Sequence, residues 1–134
     1  MDYAVHVVAS HDDPSYRIEL RSDGILCYRA ARGVTFTAPM ARRILADGVA
    51  MIESPRPCLV LMQDAARAER DARAIFASED YLALASHTAL VVGSPVSRVV
   101  GNFFVGLNPP KYAIRIFTDA DKAIDWLRAC TSCS

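Results

Sequence analysis

Asp64 follows the apolar run from Cys58 to Met62, and Arg67 and Arg70 come within two helical turns of it. Further along, Gly93-Ser94-Pro95 opens a segment that carries Ser97, Arg98 and Asn102. A carboxylate, several guanidinium groups and a helix start with unbonded amides are the make-up of a site for an anion, or for a charged patch on another protein. The plainer reading of the same residues is that Ser94 only caps its helix and that the arginines pair with Glu69 and Asp71 on a solvated face. Asn102, next to Gly101, reads first as a packing and hydrogen-bonding feature of that helix.

Other chemistries find less support. Ser94 lacks the flanking glycines of a nucleophile elbow. Gly101 to Gly106 has the glycine spacing of a phosphate-binding loop, but Leu107 and Asn108 stand where lysine and a hydroxyl are required. His6, His11 and His87 have no partners at helical metal-ligand spacing, and His11-Asp12-Asp13 reads as a solvated turn. Cys27 and Cys58 fall in predicted strands, where a thiol behaves as a small hydrophobe. Cys130 and Cys133 form a CxxC, but no strand feeds it into a helix and no second pair completes a zinc site. No spaced set of nucleophile, base and metal ligands is present, so a protein that is not an enzyme, and needs no cofactor, is expected.

The 134 residues suit a single domain over 1–134. Fifteen basic and fifteen acidic side chains cancel, so the field that draws proteins to nucleic acid or anionic lipid is missing. A hydrophobic share of 52% beside 22% charged residues points to a surface covered by a partner, and a homodimer is expected. No basic region precedes an apolar run at the N-terminus, so a cytoplasmic protein is expected. Ala89 to Leu107 is the most apolar stretch, but Ser94, Pro95, Ser97, Arg98, Gly101 and Asn102 interrupt it. It reads as a buried strand and a packed helix, without membrane insertion.

These residues need elements to position them. Tyr3 to Ala9 alternates as a mostly buried strand, and Ser10 to Pro14 marks a turn. Tyr16 to Leu20 and Ile25 to Ala30 form a hairpin about Asp23-Gly24. Thr37 starts a helix with Pro39 in its first turn, which Ser54 and Pro55 stop. Cys58 to Met62 is a central strand buried on both faces. A helix follows from about Arg67 to Ala77, then a short one from Glu79 capped by Ser78. Ala89 to Val92 is a strand, and Ser94 caps a helix that Asn108, Pro109 and Pro110 end. Tyr112 to Phe117 is the last strand, and Thr118 with Asp121 forms a capping box for a final helix that Trp126 flanks. Antiparallel strands first, then alternating helices and strands, predict an α/β fold with one mixed sheet. Its ligand crevice is expected at the carboxyl ends of the parallel strands.

The run GSPVSRVVGNFFVGLNPP followed by IRIFTDADKAIDWL resembles the C-terminal half of small bacterial STAS-like proteins, the group related to the anti-sigma-factor antagonist SpoIIAA. The resemblance implies one mixed sheet with helices chiefly on one side, and a role in docking a partner or small ligand instead of turnover. In phosphorylatable members of that group, a serine two residues after the aspartate that ends the central strand accepts phosphate. Here Asp64 is followed by Ala65 and Ala66, so the acceptor hydroxyl is missing.

The expectation is therefore a non-catalytic regulatory or protein-interaction module of STAS-like type. Its partner would dock at Asp64, Arg67, Ser94, Ser97, Arg98 and Asn102. The alternative is a binding protein for a small anionic or lipid-like ligand at the same carboxyl ends.

Overall fold

A computed structural model describes residues 5–63, 67–76, 78–93 and 113–129. Strands β1 (Val7–Asp13), β2 (Tyr16–Arg21) and β3 (Leu26–Ala30) form an antiparallel meander. After the short β4 (Thr35–Phe36) and helix α1 (Ala38–Val49), strand β5 (Arg56–Leu61) joins β3 in parallel. The chain continues through β6 (Arg67–Ala68), α2 (Arg70–Phe76) and a 3-10 turn (Glu79–Ala83). Parallel strands β7 (Ala85–Val91) and β8 (Ala113–Phe117) and helix α3 (Ala120–Ala129) complete it. Among the described residues the sheet has six strands in the order β1-β2-β3-β5-β7-β8, and β4 pairs with β6 in a separate two-stranded one.

Local chemistry explains the boundaries. Pro14 and Ser15 close the first hairpin, with the Asp13 carboxylate accepting from the Ser15 amide at 2.9 Å. Gly24, at φ +86°, supplies the left-handed residue of the second turn. The Thr37 hydroxyl accepts from the Met40 amide at 3.4 Å, and Pro39 occupies the first turn of α1.

The core lies on both sheet faces. Tyr16, Ile18, Leu26, Tyr28 and Cys58 meet Ala41 and Ile44 of α1, Ala72 of α2, and Tyr81 and Leu84. On the other face Ile25, Cys27, Leu59, Leu61, Ala89 and Val91 meet Ala123 and Leu127 of α3. Cys58 and Leu59 are adjacent on β5 yet belong to opposite clusters, so this strand is buried on both sides as its unbroken apolar run predicts.

Four expectations are corrected. The first strand begins at Val7, runs through His11, Asp12 and Asp13, and is largely exposed; a strand at the sheet edge buries little, and only Pro14 and Ser15 turn. Arg67 and Ala68 are strand, because they pair with Thr35 and Phe36, and α2 starts three residues later than predicted. Ser78 is the N-cap residue of the 3-10 turn as predicted, but its hydroxyl makes no capping bond there and donates back to the Ile75 carbonyl at 2.6 Å, closing α2. Finally, the cap of α3 is Asp119, not Thr118: its carboxylate accepts from the amides of Asp121 at 2.8 Å and Lys122 at 3.3 Å. Asp119→Ala is expected to lower stability by about 1 kcal/mol, and Thr118→Ala by much less, as read from urea midpoints.

Candidate functional site

Because β3, β5, β7 and β8 are parallel, their carboxyl ends share one edge of the sheet. The ladder runs past the strands themselves: the Met62 amide donates to the Val91 carbonyl, and the Val92 amide to the Phe117 carbonyl, each at 2.9 Å. The ends are therefore flush, and Gln63, Gly93 and Thr118 follow directly. A Cβ on residue 93 would stand 3.1 Å from the Gln63 carbonyl oxygen, so the glycine allows the two loops to touch.

Arg67 lies in the small sheet, whose two strands follow β3 and β5 in the chain. Thr35 pairs with Arg67, Phe36 with Ala68, and the Glu69 amide donates to the Phe36 carbonyl at 2.8 Å. The chain leaving β5 is thereby tied across to the connection that follows β3. The Arg67 side chain is 71% exposed, and Glu69 meets it only at 4.0 Å. Its guanidinium is thus presented to solvent with little restraint. Asp64, Ser94, Ser97, Arg98 and Asn102 lie outside the described residues, so Arg67 alone of the predicted site residues is placed here. Cys130 and Cys133 lie outside them too.

A second polar constellation was not legible in the sequence. On the α1 face, one carboxylate oxygen of Asp47 accepts from the Tyr16 hydroxyl at 2.7 Å and lies 3.0 Å from His11 Nε2. The His11 ring stacks on Tyr16, and Arg43 approaches Asp13 at 3.8 Å. Burial, reinforced by the Asp47 charge, pushes the Tyr16 hydroxyl up to about 12. The cluster fastens α1 to the first hairpin. His11, Tyr16 and Asp47 are separated by too many residues for spacing to have revealed them.

His87, Cys58, Cys27 and Asp23 are also held within the fold. His87 is 8% exposed and stands edge-on to Trp126. Its Nε2 lies 3.2 Å from the Leu127 carbonyl, which can only accept, so Nε2 donates; Nδ1 then accepts from the Ser86 hydroxyl at 3.0 Å. Burial pushes the Cys58 thiol up to about 12 and the Cys27 thiol up to about 11. Burial alone would raise Asp23, but Arg21 at 2.8 Å and Arg128 at 3.0 Å hold its carboxyl below the ordinary range. Among the described residues no three His, Cys, Asp or Glu side chains gather as metal ligands, and no helix is long and apolar enough to cross a membrane.

Comparison with known proteins fits this architecture. The crystal structure of an uncharacterized protein from the DUF3478 family with a SpoIIAA-like fold, from Shewanella loihica PV-4, matches with a TM-score of 0.54. The match spans 92% of each chain at 16% identity, which establishes the fold and nothing finer. No curated protein matches. The family model described as a domain of unknown function, DUF7793, matches residues 18–131.

Proposed function

The chain belongs to the DUF7793 family and has a SpoIIAA-like fold, and from that premise we propose that it is a non-catalytic interaction module whose partner docks on the carboxyl edge of the parallel strands. The observation that supports the reading is the presentation of Arg67: its backbone is paired with Thr35 in the chain that follows β3, while its guanidinium stays 71% exposed. Exposed cations of this kind steer and select a charged partner without being needed by the fold. Gln63, also exposed, adds a neutral donor and acceptor just past the end of β5. A partner with an acidic patch is complementary to this edge.

The test is retention of a partner from lysate by the immobilised protein. Arg67→Glu is expected to reduce retention about tenfold or more while leaving the circular dichroism spectrum and urea midpoint unchanged. Equal retention by the variant would remove this surface from consideration. A small anionic ligand would use the same guanidinium. If an anion raised the melting temperature of the wild type but not of Arg67→Glu, the edge would belong to a small ligand instead of a protein.

A further inference from the structure

Three of the large hydrophobic side chains exposed among the described residues stand together: Val5, Val7 and Val8, at 37%, 45% and 54% exposure. Val7 and Val8 begin β1 and Val5 precedes it; β1 is the terminal strand of the sheet, and its outer side faces no other strand among the described residues. Open apolar edges of this kind are templates for pairing with another strand.

The register of β2 tells which backbone groups of β1 point outward. The Arg21 amide donates to the Ile25 carbonyl, and the Ser15 carbonyl accepts from the Ala31 amide, each at 2.9 Å, so Ser15, Arg17, Glu19 and Arg21 turn toward β3. By alternation Tyr16, Ile18 and Leu20 turn toward β1, where they face Asp13, His11 and Ala9. Ser10 opposite Glu19 and Asp12 opposite Arg17 therefore direct their amides and carbonyls away from the sheet. A bulge absorbs Val8, so Val7 stands opposite Arg21 and also faces outward. His6 turns inward, its carbonyl accepting from the Ser22 amide at 2.8 Å and its amide donating to the Ser22 hydroxyl at 3.1 Å. Val5 is next outward in the alternation. Measured along β2, Val7, Ser10 and Asp12 are evenly spaced, because Arg21, Glu19 and Arg17 are.

The outward positions Val5, Val7, Ser10 and Asp12 read the same in both directions about the bulge. Laid antiparallel against a second copy, Ser10 meets Val7 of that copy and Asp12 meets its Val5, so every free position finds a free position. We propose that two copies of this chain pair through their β1 edges about a two-fold axis at the bulge, joining the two sheets into one. Charge agrees with that direction: the two acidic tails of β1, Asp12 and Asp13, are held at opposite ends of the interface. A parallel pairing would stack acid on acid. The interface covers the exposed valines and uses no residue of the carboxyl edge, so it stands whether or not that edge is a docking site.

Sedimentation equilibrium of the full chain tests this, with amide hydrogen exchange as a second readout. The wild type is expected at twice the monomer mass, with the Ser10 and Asp12 amides protected. Ser10→Pro removes an amide that β2 does not use, and Val7→Lys puts a charge at the centre of the interface; each is expected to give a monomer with unchanged circular dichroism. In Val7→Lys the Ser10 and Asp12 amides should exchange at open-strand rates. A wild type that stays monomeric at exchange concentrations overturns the proposal, as does a dimer that survives Val7→Lys or leaves those amides unprotected. If Ser10→Pro does not fold, Val7→Lys decides.

Discussion

Asp47→Ala is expected to destabilise the protein by about 2 kcal/mol, the cost of leaving a buried hydroxyl without its acceptor. Tyr16 is 2% exposed and the Asp47 oxygen lies 2.7 Å from its hydroxyl, so water entering beside the partly exposed Asp47 position makes up only part of the loss. His11 contributes less to the loss, because its own side chain is 43% exposed and regains water. The control is Tyr16→Phe. If the penalty comes from the orphaned hydroxyl, Asp47→Ala should cost much less in the Tyr16→Phe background than in the wild type. Urea titrations of the four proteins form the cycle, and additive losses would mean that Asp47 stabilises α1 by another route.

A steep loss of stability above about pH 9 is the second large effect expected. Cys58 is raised from 9.0 to about 12, Cys27 from 9.0 to about 11 and Tyr16 from 10.0 to about 12. In each case the folded protein holds its proton longer than the unfolded chain does. The unfolded state therefore binds fewer protons in that window, and the unfolding free energy falls as pH rises. The stabilisation is complete below the unfolded values and is lost progressively as pH rises toward the folded ones. Each group titrating only in the unfolded state contributes about 1.4 kcal/mol per pH unit. Moving from pH 8 to pH 10.5 is accordingly expected to lower the unfolding free energy by about 4 kcal/mol, read from urea midpoints. Cys58→Ala starts from a lower midpoint because of its cavity but should show a shallower decline. An identical decline would assign the effect to other groups.

The sequence disclosed elements better than edges. Unbroken apolar runs mark β5 and the last part of β7, from Ala89, because both faces there are covered, whereas Ser86, His87 and Thr88 hid the start of β7; Asp23-Gly24 marks its turn because few dipeptides accept a left-handed residue. β1 defeated the same reasoning. His11, Asp12 and Asp13 have turn-forming side chains, yet the hairpin holds them extended, with His11 bound to Asp47 and Asp12 beside Arg17 at 3.3 Å. Arg67 looked helical because nothing local announces that its backbone pairs with Thr35, 32 residues earlier. At the candidate site, the carboxyl edge was legible from strand polarity, while Arg67 was singled out on its charge alone. The Tyr16–Asp47–His11 cluster was not, since it depends on how α1 lies over the hairpin.

The order of strands in the sheet also bears on how the protein is made. From β1 through β8, every described strand of the six-stranded sheet lies beside the one that precedes it in the chain. No described strand has to be inserted between two others already paired. The meander supplies the most local contacts and is synthesised first, and each later strand adds to an edge already in place. Assembly can thus advance in the direction of translation, with β3, β5 and β7 each exposed as an open edge only until the next strand emerges.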